Sequence, residues 1–356
     1  MTVLQELEEV PAVPGWAPEH EDFRASVRRF VERSWSEETV RRLMDTDDGH
    51  DPALWRQATE QVGLAALLVP EESGGAGLTL LEVGLVAEEL GRGVVGGPFL
   101  SSAVLGVSAL VAAGAGEDLL GPLAEGASIA TVALEDHDVR VTDGRLHGTA
   151  PFVLDGALAD LVLVPVDGVL YAVSSDEGLT RTRLTTVDAT RKQATLTFDG
   201  APAREIGPVD TGYLKDVAAV VVAAEQVGGA QRCLEMSVEY AKVRTQFGQV
   251  IGSFQAIKHR CADMLQQVEL ARSAMHQALH AAADESPLFP ALAAAAKAFC
   301  SEAYTFTSAE TVQVHGGIGF TWEHPAHLYY KRAAADALLF GDPDTARAAF
   351  ADRIQL

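Results

Sequence analysis

The chain of 356 residues is 48% hydrophobic, enough to bury cores in two or three domains. Fifty acidic residues against 27 basic ones leave a net charge of -23, which repels nucleic acid and anionic membrane surfaces and makes the scarce cations informative. Three scattered cysteines, Cys233, Cys261 and Cys300, give neither a disulfide framework nor a metal-ligand spacing. The N-terminus lacks the order of a signal peptide and the longest apolar run, Val217 to Ala224, is far too short to span a membrane, so a cytoplasmic protein without metal is expected.

Residues 1–127 read as a helical region. In "HEDFRASVRRFVERSW" the side chains Phe23, Val27, Phe30 and Val31 share one face, with charges opposite. Asp51 followed by Pro52 predicts a capped helix start, and Thr79 predicts another. The Gly74–Gly77 stretch between them reads as a turn between packed helices rather than a phosphate cradle.

Over residues 128–208 the periodicity changes to β-rich runs, "IATVAL", "RLHGTA", "DLVLVPV", "VLYAVS", "LTRTRL" and "QATLTF", punctuated by Asp143-Gly144, Asp167-Gly168 and Asp199-Gly200. A small antiparallel β domain is expected. Residues 209–356 return to long helical patterns: Leu214 to Val243, Ser253 to Ala283, Leu288 to Val314 and Pro325 to Leu339. Their apolar stripes predict a C-terminal four-helix bundle, so the whole chain reads as mainly α with a small β domain.

Two breaks interrupt the bundle. At the first, Phe247-Gly248 ends a helix whose last carbonyls favour a nearby cation, which Arg244 supplies. At the second, Gln313 closes a helix, Gly316 and Gly317 allow close backbone approach, and the segment from Thr321 to Pro325 starts the next helix. Main-chain amides in the Gly-Gly turn plus a guanidinium suit a diphosphate, and Gln246 and Gln313 suit a ribose or an aromatic ring edge.

In this order the segments Arg244-Thr245-Gln246-Phe247-Gly248, Phe254-Gln255 with His259 and Ala262-Asp263-Met264, and Gln313 to Phe320 closely resemble motifs of the acyl-CoA dehydrogenase family. Val69-Pro70-Glu71-Glu72, Gly74-Gly75-x-Gly77 and Glu88-Glu89-Leu90-Gly91 extend the resemblance to the first region. It implies FAD as cofactor and an acyl-CoA thioester as substrate: a carboxylate removes the α proton while the β hydride passes to the flavin. It also implies that Arg244, Gln246, Phe247, Gln313, Gly316 and Gly317 grip the diphosphate and adenosine of an FAD seated mainly on a neighbouring subunit.

The elements that serve a flavin within the same chain depart from the family pattern. The family's Thr-Glu-Pro-Gly-x-Gly-Ser-Asp loop corresponds to only Leu134-Glu135-Asp136-His137-Asp138. Its flavin-stacking tryptophan becomes Phe152 and a threonine hydroxyl becomes Leu154. Of the two places where the family carries its base, one holds Phe340, followed by Gly341-Asp342-Pro343, and the other falls at Ala218 or Ala219. Loss of a general base costs about 10²–10⁴ in rate.

Two carboxylates are candidate replacements. Glu225 lies roughly two helical turns beyond Ala218 on the same face, and Asp342 lies in the loop after Phe340. Each has a structural alternative, a satisfied helix carboxylate for Glu225 and a helix cap for Asp342. His315 and His324 read as helix-end or interface histidines. The expected protein is a partner subunit that completes the FAD site of a paralogous catalytic chain in a dimer or tetramer, with an electron-transfer flavoprotein as candidate acceptor. The alternatives are a self-sufficient homo-oligomer with a displaced base and a flavin-free scaffold.

Overall fold

The computed structural model describes residues 16–355. The described residues form two compact units. One comprises the chain up to Val31, Gly84–Val95 and Ala219 onwards; the other comprises Glu32–Val83 and Gly96–Ala218. Helices of the expected N-terminal region therefore contribute to both.

The amphipathic stretch forms α1 (Pro18–Ser34), which buries Val27, Phe30 and Val31. It is followed by α2 (Glu37–Met44), α3 (Pro52–Val62) and α4 (Leu80–Arg92). Asp51 caps α3 by accepting from the amides of Ala53 and Leu54, with Pro52 in the first turn, as its position predicts. Thr79 Oγ1 accepts from the Leu81 amide, while Glu82 reaches back to the Thr79 amide at 2.9 Å, a reciprocal cap at the start of α4. A buried π-helical segment, Phe99–Gly106, leads into α5 (Val107–Ala112) and α6 (Glu117–Ala124).

The middle of the chain forms two four-stranded sheets, from β1 (Ala130–Val132), β2 (Arg140–Thr142), β3 (Arg145–Leu154), β4 (Leu161–Val166), β5 (Val169–Val173), β6 (Leu179–Arg183), β7 (Gln193–Pro202) and β8 (Arg204–Pro208). Their orders are β1-β4-β5-β8 and β2-β3-β7-β6. Alternate side chains of both sheets, among them Leu146, Val164, Leu196 and Phe198, share one core. The pairing is antiparallel except that β1 runs parallel to β4, because the chain between them is occupied by the β2–β3 hairpin of the other sheet.

Asp143-Gly144 and Asp167-Gly168 turn the β2–β3 and β4–β5 hairpins with both residues at positive φ. Asp199-Gly200 behaves differently from expectation. It lies inside β7, where Leu146 pairs Ala201 and His147 pairs Asp199, leaving Gly200 as the extra residue of a bulge at φ +74°.

The C-terminal part is helical: α7 (Thr211–Val243), α8 (Gln255–Ala283), α9 (Phe289–His315), α10 (Ala326–Leu338) and a further short helix, α11 (Pro343–Arg353). Helix α9 is central, with α8, α10 and α11 packed on it. Cys233, Met264, Val268, Tyr304 and Ala333 build the core among α7 to α10. Between α4 and α7, glycine allows contact at backbone distance: a Cβ on Gly91 would stand 2.0 Å from the Glu225 carbonyl, and one on Gly228 1.8 Å from that of Glu88. Around this crossing Arg28 holds Glu89 through two hydrogen bonds of 2.6 and 2.8 Å, and Glu88 pairs with Arg24 and Arg272. The Glu-Glu-Leu-Gly motif of α4 is therefore structural. Among the described residues no helix is long and apolar enough to cross a membrane.

Candidate functional site

The two breaks occur where α7 and α9 end. Register between these helices is set one turn earlier. Thr311 Oγ1 donates to the Cys233 carbonyl at 3.0 Å, and the Ser237 and Thr311 hydroxyls meet at 3.1 Å. These buried polar groups satisfy one another across the helix pair, so the two helix ends arrive side by side. At that level the Tyr240 ring stacks on His315, with centroids 4.5 Å apart and planes at 27°, and His315 meets His324 at 4.2 Å.

After α7 the chain makes a two-stranded hairpin, β9 (Thr245–Gln246) with β10 (Gln249–Val250), turned at Phe247-Gly248 with both residues at positive φ. Arg244, Gln246 and Phe247 all stand on it, exposed. Phe247 is 92% exposed and held at φ 52°, a conformation that costs a bulky residue energy and that its own fold does not require for burial. Gln246 Nε2 donates to the Thr245 carbonyl at 2.8 Å, which leaves its amide oxygen outward.

After α9, Gly316 adopts φ 61°, ψ -137°, a region open essentially to glycine alone. Its amide caps the helix, donating to the carbonyls of Val312 and Gln313. Gly316 therefore acts through conformation and not, as its exposure in a Gly-Gly turn implied, as an anion donor. Gly317 is different. A Cβ built there meets no atom of the chain within 4 Å, so internal packing does not call for glycine at that position. Gln313 is exposed beside it and borders a cleft of about 400 Å³ walled by Val312, Phe320, Trp322, Tyr330 and Lys331. The Lys331 ammonium lies 4.6 Å from the Trp322 ring centre.

These features fit a dinucleotide approaching from outside the chain: a guanidinium, two glutamine amides, an exposed phenyl and a glycine with room for a neighbouring backbone or phosphate. Burial holds the His315 pKa below the usual imidazole range, and its Nδ1 donates to the Thr311 carbonyl at 2.8 Å. A neutral ring follows at physiological pH, so His315 contributes shape here and Arg244 contributes the charge.

The other sequence-derived candidates are placed as follows. Phe152 projects from a bulge in β3, between the pairs Ala150–Leu196 and Val153–Ala194, at φ 53° and 56% exposed. The shortened loop before it is tied to the same strand: Asp138 accepts from the Thr149 amide at 2.5 Å, and Gly148 at φ +125° leaves no space for a side chain against Asp138 and Val139. Ala218 and Ala219 are buried methyl groups inside α7. Glu225 is buried in α7 where Gly91 crosses.

Phe340 sits half-buried at φ 57° in the turn after α10. Asp342 accepts from the Thr345 amide at 2.8 Å and caps α11; that bond foremost holds its carboxyl below the usual range. Lys297 went unrecognised in the sequence. It is buried in α9, and its ammonium donates to the carbonyls of Asp336 and Gly341, fixing the Phe340 turn. A lysine within an alanine-rich, otherwise apolar helix face was the available signal. Tyr240, one turn before Arg244, also escaped notice.

Residues 17–122 match the acyl-CoA dehydrogenase N-terminal domain and residues 216–355 the C-terminal domain. The chain is 40% identical over 325 residues to acyl-CoA dehydrogenase IpdE2 of Mycolicibacterium smegmatis, covering 91% of this chain and 95% of that protein. Among solved structures, the ChsE4-ChsE5 complex of Mycobacterium tuberculosis aligns with TM-score 0.89 at 29% identity, over 96% of this chain and 98% of that one. A Tcur3481-Tcur3483 steroid ACAD variant aligns with TM-score 0.88 at 29% identity, over 95% and 98%. The chain belongs to the acyl-CoA dehydrogenase family, and the FAD-dependent oxidoreductase activity of lipid metabolism expected from its motifs is that of this family.

Proposed function

We propose that this chain is the base-deficient partner subunit of a hetero-oligomeric acyl-CoA dehydrogenase. One contrast carries the reading. The groups suited to a nucleotide on an adjoining subunit, from Arg244 to Phe247 and from Gln313 to Gly317, stand outward on the ends of α7 and α9. The positions where the family keeps its base hold Ala218, Ala219 and Phe340. The paralogous chain then supplies the carboxylate and most of the flavin pocket. FAD, when bound, supplies the hydride acceptor for α,β-desaturation of an acyl-CoA.

This chain's own residues do three things in that reading. Arg244 neutralises diphosphate charge at two helix C-termini, whose carbonyls alone disfavour an anion. Gln246 and Gln313 offer amide hydrogen bonds to the sugar or ring edges. Gly317 admits the chain of phosphates close to the backbone. Two structural neighbours are named as pairs of chains, and one of them as a steroid enzyme. A CoA thioester with a steroid-derived acyl group is accordingly the first substrate to test. An electron-transfer flavoprotein is the proposed acceptor, and a reducing cytoplasm, which suits the free thiols Cys233, Cys261 and Cys300, the proposed location.

The test is purification alone and with a paralogous chain. The co-purified complex is expected to be yellow and to reduce its flavin with the acyl-CoA, whereas the lone chain is colourless and inactive. Full flavin loading and turnover by the lone chain would refute the proposal and favour the homo-oligomer that uses Glu225 or Asp342.

A further inference from the structure

The trans-acting reading above requires two separate helix ends to present their groups to one ligand, and the inference drawn here, which rests on that reading, concerns what holds those ends in register. Lys242 to Val250 are all exposed, so burial does not orient the hairpin that carries Arg244. Its orientation is set at its root. There the Tyr240 carbonyl accepts from the Arg244 amide at 2.9 Å, and the Arg244 carbonyl accepts from the Ile251 amide at 2.8 Å. Phe247 meets Phe254 edge-on at 6.2 Å, but this contact stays within the same break.

The link to the other break is aromatic. Tyr240 lies flat on His315, the last residue of α9 and the immediate neighbour of Gly316. The hydrogen bond from His315 Nδ1 to the Thr311 carbonyl fixes the plane of this middle ring. On its far side stands His324, whose Nδ1 accepts from the Ala326 amide at 3.2 Å in the first turn of α10. One stack therefore touches the root of the hairpin, the start of the Gly-Gly turn and the start of the next helix.

We propose that Tyr240, His315 and His324 are positioning residues: a three-ring stack that sets the separation and tilt between Arg244 and the Gly316-Gly317 turn, so that both engage the same dinucleotide. The flat faces resist tilting, and the ring thickness fixes the spacing. A displacement of about 1 Å is enough to cost an order of magnitude or more in a preorganised site. None of the three rings needs to touch the ligand for this.

Two measurements test it. FAD affinity is titrated by flavin fluorescence on the deflavinated complex of this chain with its paralogous partner, and amide hydrogen exchange is followed on the full chain alone. Tyr240→Ala is expected to weaken FAD by about tenfold with the size of the complex unchanged. It should also speed exchange in residues 242–251 and 316–326 together, although only the first segment neighbours the substitution in sequence. Tyr240→Phe, which keeps the ring, restores both; Tyr240→Leu, which keeps bulk without a plane, does not.

The inference is overturned if Tyr240→Ala and His315→Ala leave FAD affinity unchanged while Arg244→Ala lowers it. The trans-acting reading then survives and the stack does not position. If Arg244→Ala also leaves affinity unchanged, that reading fails and takes the inference with it.

Discussion

The buried ammonium of Lys297 donates to the carbonyl of Gly341 at 2.9 Å. The same nitrogen reaches the carbonyls of Asp336 and Ala337 at 3.0 and 3.2 Å, and the Ser301 hydroxyl at 3.2 Å. One cation thus satisfies the last turn of α10 and the turn that follows, at the point where the left-handed pair Phe340-Gly341 reverses the chain. Lys297→Met leaves several buried carbonyls without a donor. A loss of about 3 kcal/mol is expected, seen as a lower urea midpoint with unchanged slope.

Asp342 serves a cap, and its mutational signature should be that of a cap. Asp342→Asn is expected to preserve thermal stability, because asparagine accepts the same amide hydrogen bond, whereas Asp342→Ala lowers the melting temperature slightly. Stopped-flow reduction of the flavin in the co-purified complex should be the same for both. A large loss of reduction rate in Asp342→Asn would instead identify it as the base.

Gly91 and Gly228 leave no room for even a methyl group between α4 and α7. Gly91→Ala must push apart helices joined by Arg28–Glu89 and Arg272–Glu88. A destabilisation of about 3 kcal/mol follows, readable by thermal unfolding. No comparable effect is expected from Gly317→Ala, which meets open space; that variant is expected to lose FAD affinity alone.

Acid sensitivity has an identifiable source in His276. Burial foremost, helped by the positive charges of Arg272 and Arg24, lowers its pKa to about 4, although Glu88 opposes this. The unfolded chain, with an ordinary imidazole near 6.5, binds the proton more readily. This group therefore adds stability above about pH 6.5 that is lost progressively as the pH falls towards about 4. Glu235 acts lower on the scale: burial pushes its carboxyl up, but the Arg92 guanidinium and other donors bring it to about 2. Its contribution is present above the ordinary carboxylate range and fades as the pH drops through about 2. Replacing His276 by Gln should flatten the melting-temperature profile between about pH 6.5 and 4 and leave the more acidic limb intact.

Much of the architecture was legible because local rules and tertiary packing agree. The caps at Asp51 and Thr79, the long helices, and six of the strands follow from patterns a few residues long. What escaped depended on distant partners. Asp199-Gly200 has the sequence of a hairpin turn, yet β3 continues past it and converts it into a bulge. The short strands β2 and β8 carry no apolar alternation and exist by pairing with β3 and β5. The nucleotide-facing segments were readable as motifs, whereas the Tyr240–His315–His324 stack joins residues 84 positions apart, counting from first to last, that no spacing rule connects.

The exposed hairpin from Thr245 to Val250 has a genetic consequence. Because its side chains lend nothing to the interior, a lesion at Arg244 should yield a subunit that is made, folds and still occupies its seat in the assembly while withholding the cofactor contact. Such an allele would act as a poison when co-expressed with the intact gene, whereas a lesion at Gly91 or Lys297 would merely lower the supply of the subunit and behave as recessive.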